Sequence, residues 1–271
     1  MDSIQPVALV TGASSGIGKA AALALLEAGF EVVGTSRNTS AITDRDGVTF
    51  LDLDVTSDES VSTLVQRVIE QFGRIDVLVN NAGTGAAGAA EESSVTLDQR
   101  VFDINFFGLI RMTKAVLPHM RARGTGRIIN ISSVLGFVPG PYMASYVATK
   151  HAVEGYSESL DHEVREHGVR VLLVEPAYTK TGFDANALQP DAPLTVYAKQ
   201  RQVFDGVMAA AMAAGDDPAT VAKAIVAAAT DPKPKLRYAA GSTARRVSTL
   251  RRFVPARAFD KQIRKLNRLA A

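Results

Sequence analysis

Val7-Ala8-Leu9-Val10-Thr11-Gly12-Ala13-Ser14-Ser15-Gly16-Ile17-Gly18 runs straight into Lys19-Ala20-Ala21-Ala22-Leu23-Ala24-Leu25-Leu26. The first four residues read as a short buried strand and the alanine–leucine run as a helix, with three glycines between them. Glycine tolerates positive φ and lets the main chain approach a ligand closely. The free N–H groups and the dipole at the helix start then favour an anion such as a pyrophosphate. Three residues separate the first two glycines, so the spacing departs from the G-x-G-x-x-G fingerprint. On its own, such a turn can equally serve only to join strand to helix.

The same alternation continues outward. Apolar, β-branched runs at 7–10, 31–35, 48–53, 77–80, 127–131 and 169–175 predict strands, and helical patterns at 16–28, 57–72, 97–123 and 145–167 lie between them. Parallel neighbours need right-handed crossovers, so these helices are required to cover both faces of the sheet. The expectation is an α/β doubly wound parallel sheet of Rossmann type, forming a single domain over residues 1–271. Beyond Pro176 the pattern loosens around Pro190 and Pro193, becomes alanine-rich and helical over 195–229, and allows a last strand near 236–239.

Composition narrows the function classes. The chain has 271 residues, 46% of them hydrophobic, which suffices for one sizeable core. A net charge of +2 does not demand a nucleic-acid partner. With no cysteine there is no disulfide framework, thiolate metal site or catalytic thiol. His119, His151, His162 and His167 show no metal-ligand spacing, so no metal is expected. The opening Met1-Asp2-Ser3-Ile4-Gln5-Pro6 lacks the basic and apolar parts of a signal peptide, and no apolar stretch reaches spanning length. A cytoplasmic protein is the expectation.

Further motifs follow the glycine turn in order: Asn80-Asn81-Ala82-Gly83 after the fourth strand, Asn105 on the next helix, Ile131-Ser132-Ser133 at the end of the fifth strand, and Tyr146-x-x-x-Lys150 opening the helix after it. Together with Thr11-Gly-x-x-x-Gly-x-Gly18, they resemble the short-chain dehydrogenase/reductase family over residues 6–185, with hydroxysteroid and retinol dehydrogenase-like members nearest in character. The resemblance implies a nicotinamide cofactor outside the carboxyl ends of the strands. Gly12, Ser14, Ser15, Gly16, Ile17 and Gly18 would then hold its diphosphate, and Asn81, Ala82 and Gly83 would flank it. It also implies a homodimer or homotetramer.

An acidic side chain at the end of the second strand would accept from the ribose of NAD and repel a 2′-phosphate. This chain has Thr35-Ser36-Arg37, with Ser36 where NAD-preferring members carry aspartate and Arg37 offering a permanent charge and a phosphate-matching fork. NADP(H) is therefore expected over NAD(H). Asp54 and Val55 resemble the adenine-contacting pair. Pro176 and Thr181 match positions near the nicotinamide, although Ala177 replaces the family's usual glycine.

Tyr146 and Lys150, four apart, share a helix face. Lowering a phenol pKa of about 10 towards neutrality takes about 4 kcal/mol, which one cation at about 4 Å in an effective dielectric near 20 can supply. Tyr146 is thus the expected general acid/base. By resemblance, Lys150 would also bind the nicotinamide ribose, Ser133 would orient the carbonyl, with Ser132 as runner-up, and Asn105 would hold a water behind Lys150. The expected activity is carbonyl–alcohol interconversion by hydride transfer. The rivals are an NADP(H)-binding regulatory protein without turnover and an epimerase or dehydratase, whose glycine spacing is usually shorter.

Substrate recognition falls to about 182–215, where Phe183, Leu188, Tyr197, Phe204 and Met208 favour an apolar carbonyl or alcohol. The tail, about 240–271, is basic. From Arg245 to Arg268 nine basic residues face one acid, Asp260, giving +8 and leaving the remainder at −6. Phe259, Ile263 and Leu266 fall at helical spacing with Pro255 near the start, so an amphipathic helix is expected, packed on the body or touching a membrane surface.

Overall fold

A computed structural model describes residues 5–40, 42, 46–183 and 186–269. Residues 1–4, which carry the reading of the N-terminus, and Asp184 and Ala185 of the substrate segment lie outside the described residues. Seven strands, β1 (Val7–Val10), β2 (Glu31–Ser36), β3 (Thr49–Asp52), β4 (Val77–Asn80), β5 (Gly126–Ile131), β6 (Val169–Pro176) and β7 (Arg237–Ala240), form one sheet in the order β3-β2-β1-β4-β5-β6-β7. Every pairing is parallel. This is the expected doubly wound Rossmann-type fold in a single domain, and its strand order reverses between β1 and β4, where a ligand crevice opens.

Period-two alternation assigns the two faces. Ala8, Val10, Val77, Val79, Ile129, Leu172 and Val174 face α1 (Gly16–Glu27) and α7 (Pro218–Thr230), which contribute Ala21, Leu25, Val221 and Ile225. Val7, Leu9, Leu78, Ile128 and Val171 face α2 (Asp58–Phe72), α4 (Gly108–Arg123) and α5 (Ala144–Val164), which contribute Leu64, Val68, Met112, Val116 and Leu160. With both faces covered, the strands read as nearly continuous apolar runs.

Three expectations are refined. The helix expected over 97–123 is α3 (Val95–Phe102), a π turn at Asp103–Phe107, and α4, because the wider turn rotates Asn105 into the interior. The helical run at 195–229 is two helices, α6 (Ala198–Ala213) and α7, since Asp217 caps α7 by accepting from Ala219 N and Pro218 opens it. The basic tail forms α8 (Gly241–Phe253) and α9 (Ala256–Leu266), with Pro255 in the cap position of α9. Among the described residues no helix is long and apolar enough to cross a membrane.

Candidate functional site

A cavity of about 1100 Å³ runs from the carboxyl ends of β1 and β2, past those of β4, β5 and β6, to α6 and α9. Its inner end is the glycine turn. Gly12 and Gly16 have φ of 66° and 56°, and a Cβ on Gly18 would lie 2.1 Å from Gly12 O and 2.5 Å from Asn81 Nδ2. Gly18 therefore does not line the cavity but lets α1 approach the strand behind the turn. Ser15 precedes α1 without a side-chain cap, and no acidic residue occupies the first turn, so the helix start presents N–H groups to the cavity.

Two residues hold this turn in place. Thr11 Oγ1 accepts from Asn81 N and Ala82 N, each at 2.9 Å, and Asn81 Nδ2 donates to Thr11 O and Gly12 O at 2.9 and 3.2 Å. The side-chain amide of Asn81 is thus spent on tying β4 to the glycine turn. Thr11 is a structural contributor that the sequence reading passed over. Its signal was its place immediately before the first glycine.

Arg37, exposed at the end of β2, and Asp54 and Val55 after β3 line the same end as Ser14 and Ser15. Hydrogen bonds from Thr56 Oγ1 and Thr56 N to Asp54 Oδ1, at 2.7 and 2.9 Å, hold the Asp54 carboxyl below its ordinary range. β2 itself ends in Ser36, with Arg37 next, and the Arg37 charge also helps to hold Asp54 low.

The middle of the cavity brings Ser133, Tyr146 and Lys150 together with Ala82, Gly83, Pro176 and Thr181. Ser133 Oγ accepts from Leu135 N at 3.1 Å as cap of a short 3-10 turn, which leaves its hydroxyl proton free to point elsewhere. Ser132 Oγ, also lining the cavity, is buried with no hydrogen-bond partner among the described residues. The two serines therefore remain distinguishable by surroundings: one is fixed by a backbone N–H, the other is packed against Gly136.

Helix α5 starts where Tyr142 adopts φ 64°, a left-handed conformation rare for a tyrosine. Gly88 N donating to Tyr142 O at 2.8 Å and the Phe204 ring at 5.7 Å hold it there. One turn later Tyr146, 8% exposed, packs edge-on against Phe183 at 5.8 Å. Lys150 is buried, donates from Nζ to Ile131 O at 2.9 Å, and lies 5.6 Å from the centre of the Tyr146 ring. Burial pulls its ammonium down to about 8. Asn105 lies behind the cavity wall: its Oδ1 accepts from Thr84 N at 2.8 Å, and its Nδ2 donates to Thr84 O at 2.9 Å and Thr149 Oγ1 at 3.3 Å. It is thus a two-way clamp on the loop after Gly83, and it reaches α5 through Thr149, the neighbour of Lys150.

At the outer end the walls are apolar. Phe183, Leu188, Phe204 and Met208 meet Val138 and Met143, and α9 adds Phe259, Ile263 and Leu266 as a roof. The contribution of α9 was not foreseen, because helical spacing alone does not say which surface an apolar stripe covers. A second unforeseen device is Glu92. Fully buried, its carboxylate accepts from Ala89 N at 3.1 Å and Leu194 N at 2.7 Å and pairs with Arg201, binding the start of α6 to the loop after β4. Among the described residues no cluster of His, Asp and Glu has the makings of a metal site.

The family model for short chain dehydrogenase matches residues 6–192. The chain belongs to the short-chain dehydrogenase family. It is 47% identical over 184 residues, 68% of each chain, to a 3-ketodihydrosphingosine reductase of Bacteroides thetaiotaomicron. Among solved structures, a short-chain dehydrogenase from Streptomyces avermitilis superposes with a TM-score of 0.83 at 36% identity, covering 99% of this chain and 98% of that one. A family member from Burkholderia phymatum in complex with NAD superposes with a TM-score of 0.81 at 27% identity, covering 97% of each. This short-chain dehydrogenase is thus an oxidoreductase of a family acting on alcohol and carbonyl groups, and its structural relatives bind nicotinamide cofactors.

Proposed function

We propose that the protein is an NADP(H)-dependent reductase or dehydrogenase that interconverts an apolar ketone or aldehyde with its alcohol, using Tyr146 as general acid/base. The observation that carries this reading is that one cavity joins an open, glycine-lined helix start flanked by Arg37 to a phenol whose neighbour on α5 is a buried lysine. The residues fit a dinucleotide: Gly12, Ser14, Ser15, Gly16 and Ile17 at the diphosphate, Arg37 at the 2′-phosphate, Asp54 and Val55 at the base, Ala82, Gly83, Pro176 and Thr181 along the nicotinamide half. Asn81 lines the same stretch, with its side-chain amide tying β4 to the glycine turn, and Gly18 acts behind as a support. When bound, the nicotinamide supplies or accepts the hydride.

Every other step belongs to this chain. Ser133 Oγ donates to the carbonyl oxygen and stabilises the charge that builds there. Tyr146 Oη gives its proton to that oxygen as the hydride reaches carbon, producing the alcohol and a phenolate. The ammonium of Lys150 stabilises the phenolate, which a proton from solvent then restores. Asn105 holds the Thr84 loop and the α5 turn in register. Oxidation runs the same transfers backwards. The apolar outer cavity accommodates a long hydrocarbon chain, and the name of the Bacteroides relative points the same way, so a ketone bearing such a chain is the proposed substrate class.

The test is cofactor oxidation with NADPH and NADH against ketones of increasing chain length. Turnover with NADPH that rises with chain length is expected. A preference for NADH, or rates that fall as the chain lengthens, overturns the cofactor or the substrate assignment respectively.

A further inference from the structure

Residues of α8 and α9 line the outer end of the cavity, and the two helices carry the excess of positive charge. On α9, Phe259, Ile263 and Leu266 share one face, while Arg257, Lys261 and Lys265 lie on the opposite one. No residue of α9 is buried. Large apolar side chains stand in solvent on both helices: Phe253 is 74% exposed, Leu266 59% and Leu250 45%. Phe253 sits beside the Val254-Pro255 joint between the helices, and α8 is fastened to the body by Arg251 Nε donating to Phe137 O at 3.0 Å. Among the described residues Arg245, Arg246, Arg252, Arg257, Lys261 and Lys265 form no ion pair with a carboxylate.

We propose that α8 and α9 are a docking surface for an anionic phospholipid bilayer. The +8 of residues 245–268 against −6 for the remainder makes the molecule a dipole that turns this end towards an anionic surface. Basic side chains on the outer face of α9 meet the headgroups, and Phe253, at the joint between the helices, enters the boundary of the acyl region with Leu250 beside it. A nucleic acid would use the charges but leave those apolar side chains in water. Docking here also places the cavity opening, roofed by Phe259, Ile263 and Leu266, against the lipid, so a long-chain substrate can pass between bilayer and cavity without crossing water. That last consequence rests on the proposed reaction; the docking itself does not.

Full-length protein is sedimented with phosphatidylcholine vesicles and with vesicles containing about one third phosphatidylglycerol. Co-sedimentation with the anionic vesicles alone is expected, falling steeply as salt rises. The triple variant Arg257→Gln, Lys261→Gln, Lys265→Gln weakens partitioning by about 100-fold, at about fivefold for each charge. The chain has no tryptophan, so Phe253→Trp is a single reporter, and its emission shifts to the blue on anionic vesicles. Absence of co-sedimentation at low salt, equal binding to neutral vesicles, an unshifted Phe253→Trp emission, or binding to duplex DNA but not to vesicles each overturns the proposal. NADPH turnover on soluble ketones, measured without vesicles, reports separately on the proposed reaction.

Discussion

Replacing Lys150 with methionine is expected to stabilise the ligand-free protein while removing its activity. Burial lowers the lysine from 10.5 to about 8, and such a fall costs the folded state about 3 kcal/mol at pH 7, where both folded and unfolded chains carry the charge. Methionine fills most of the same volume without a charge, but Ile131 O loses its 2.9 Å donor, which takes back about 1 kcal/mol. The net gain is about 2 kcal/mol, or about 4–8 °C in Tm for a chain of this size. The sign with pH follows from proton counting: between pH 8 and 10.5 the unfolded chain binds more protons at this site, so wild-type stability rises there and the advantage of the variant disappears. Calorimetry of both proteins at pH 7 and above pH 10 measures this directly. A variant that melts at or below the wild-type temperature at pH 7, or keeps its advantage above pH 10, refutes the reasoning.

Arg37→Ala removes a charge-assisted contact to a 2′-phosphate worth about 1.5–3 kcal/mol; since Arg37 is exposed, NADPH affinity should fall about tenfold while NADH affinity stays level, read from the two KM values. Gly18→Ala puts a methyl 2.1 Å from Gly12 O, a clash that the turn can relieve only by moving, at about 1–3 kcal/mol; titration should show NADPH binding lost along with a drop in Tm. Burial pushes the Glu175 carboxyl up to about 7, even though it pairs with Arg237, which it shares with Glu154 and Glu158. Its folded value lies above its unfolded one, so stability is lost as pH rises from about 4.5 through 7; Glu175→Gln, which keeps a hydrogen bond to Arg237, should raise Tm at pH 8 and leave it unchanged at pH 4.5.

Much of the fold was legible because β-branched runs and glycine punctuation report backbone geometry locally. β1, the glycine turn and α1 appear in the sequence almost as they stand in space, and the placement of Tyr146 beside Lys150 follows from the pitch of one helix. Asn105 shows where local reading stops. A π turn needs one extra residue per turn, and no propensity in Asp103-Ile104-Asn105-Phe106-Phe107 marks it, so only the contacts to the Thr84 loop and Thr149 explain why the asparagine faces inward. Glu92 and Arg201 are 109 residues apart and carry no shared motif; their pairing depends on how the segment before α6 folds back. The stripe on α9 was readable as a stripe, but the surface that it roofs belongs to the tertiary fold.

The most direct test of the central claim is Tyr146→Phe, which deletes one hydroxyl and keeps the ring against Phe183. NADPH-dependent reduction of a long-chain ketone should fall by about 100-fold or more, while NADPH affinity, measured by cofactor fluorescence, stays within about a factor of three because the ring and its packing are unchanged. Turnover undiminished in the variant would contradict the assignment of Tyr146 as the proton donor.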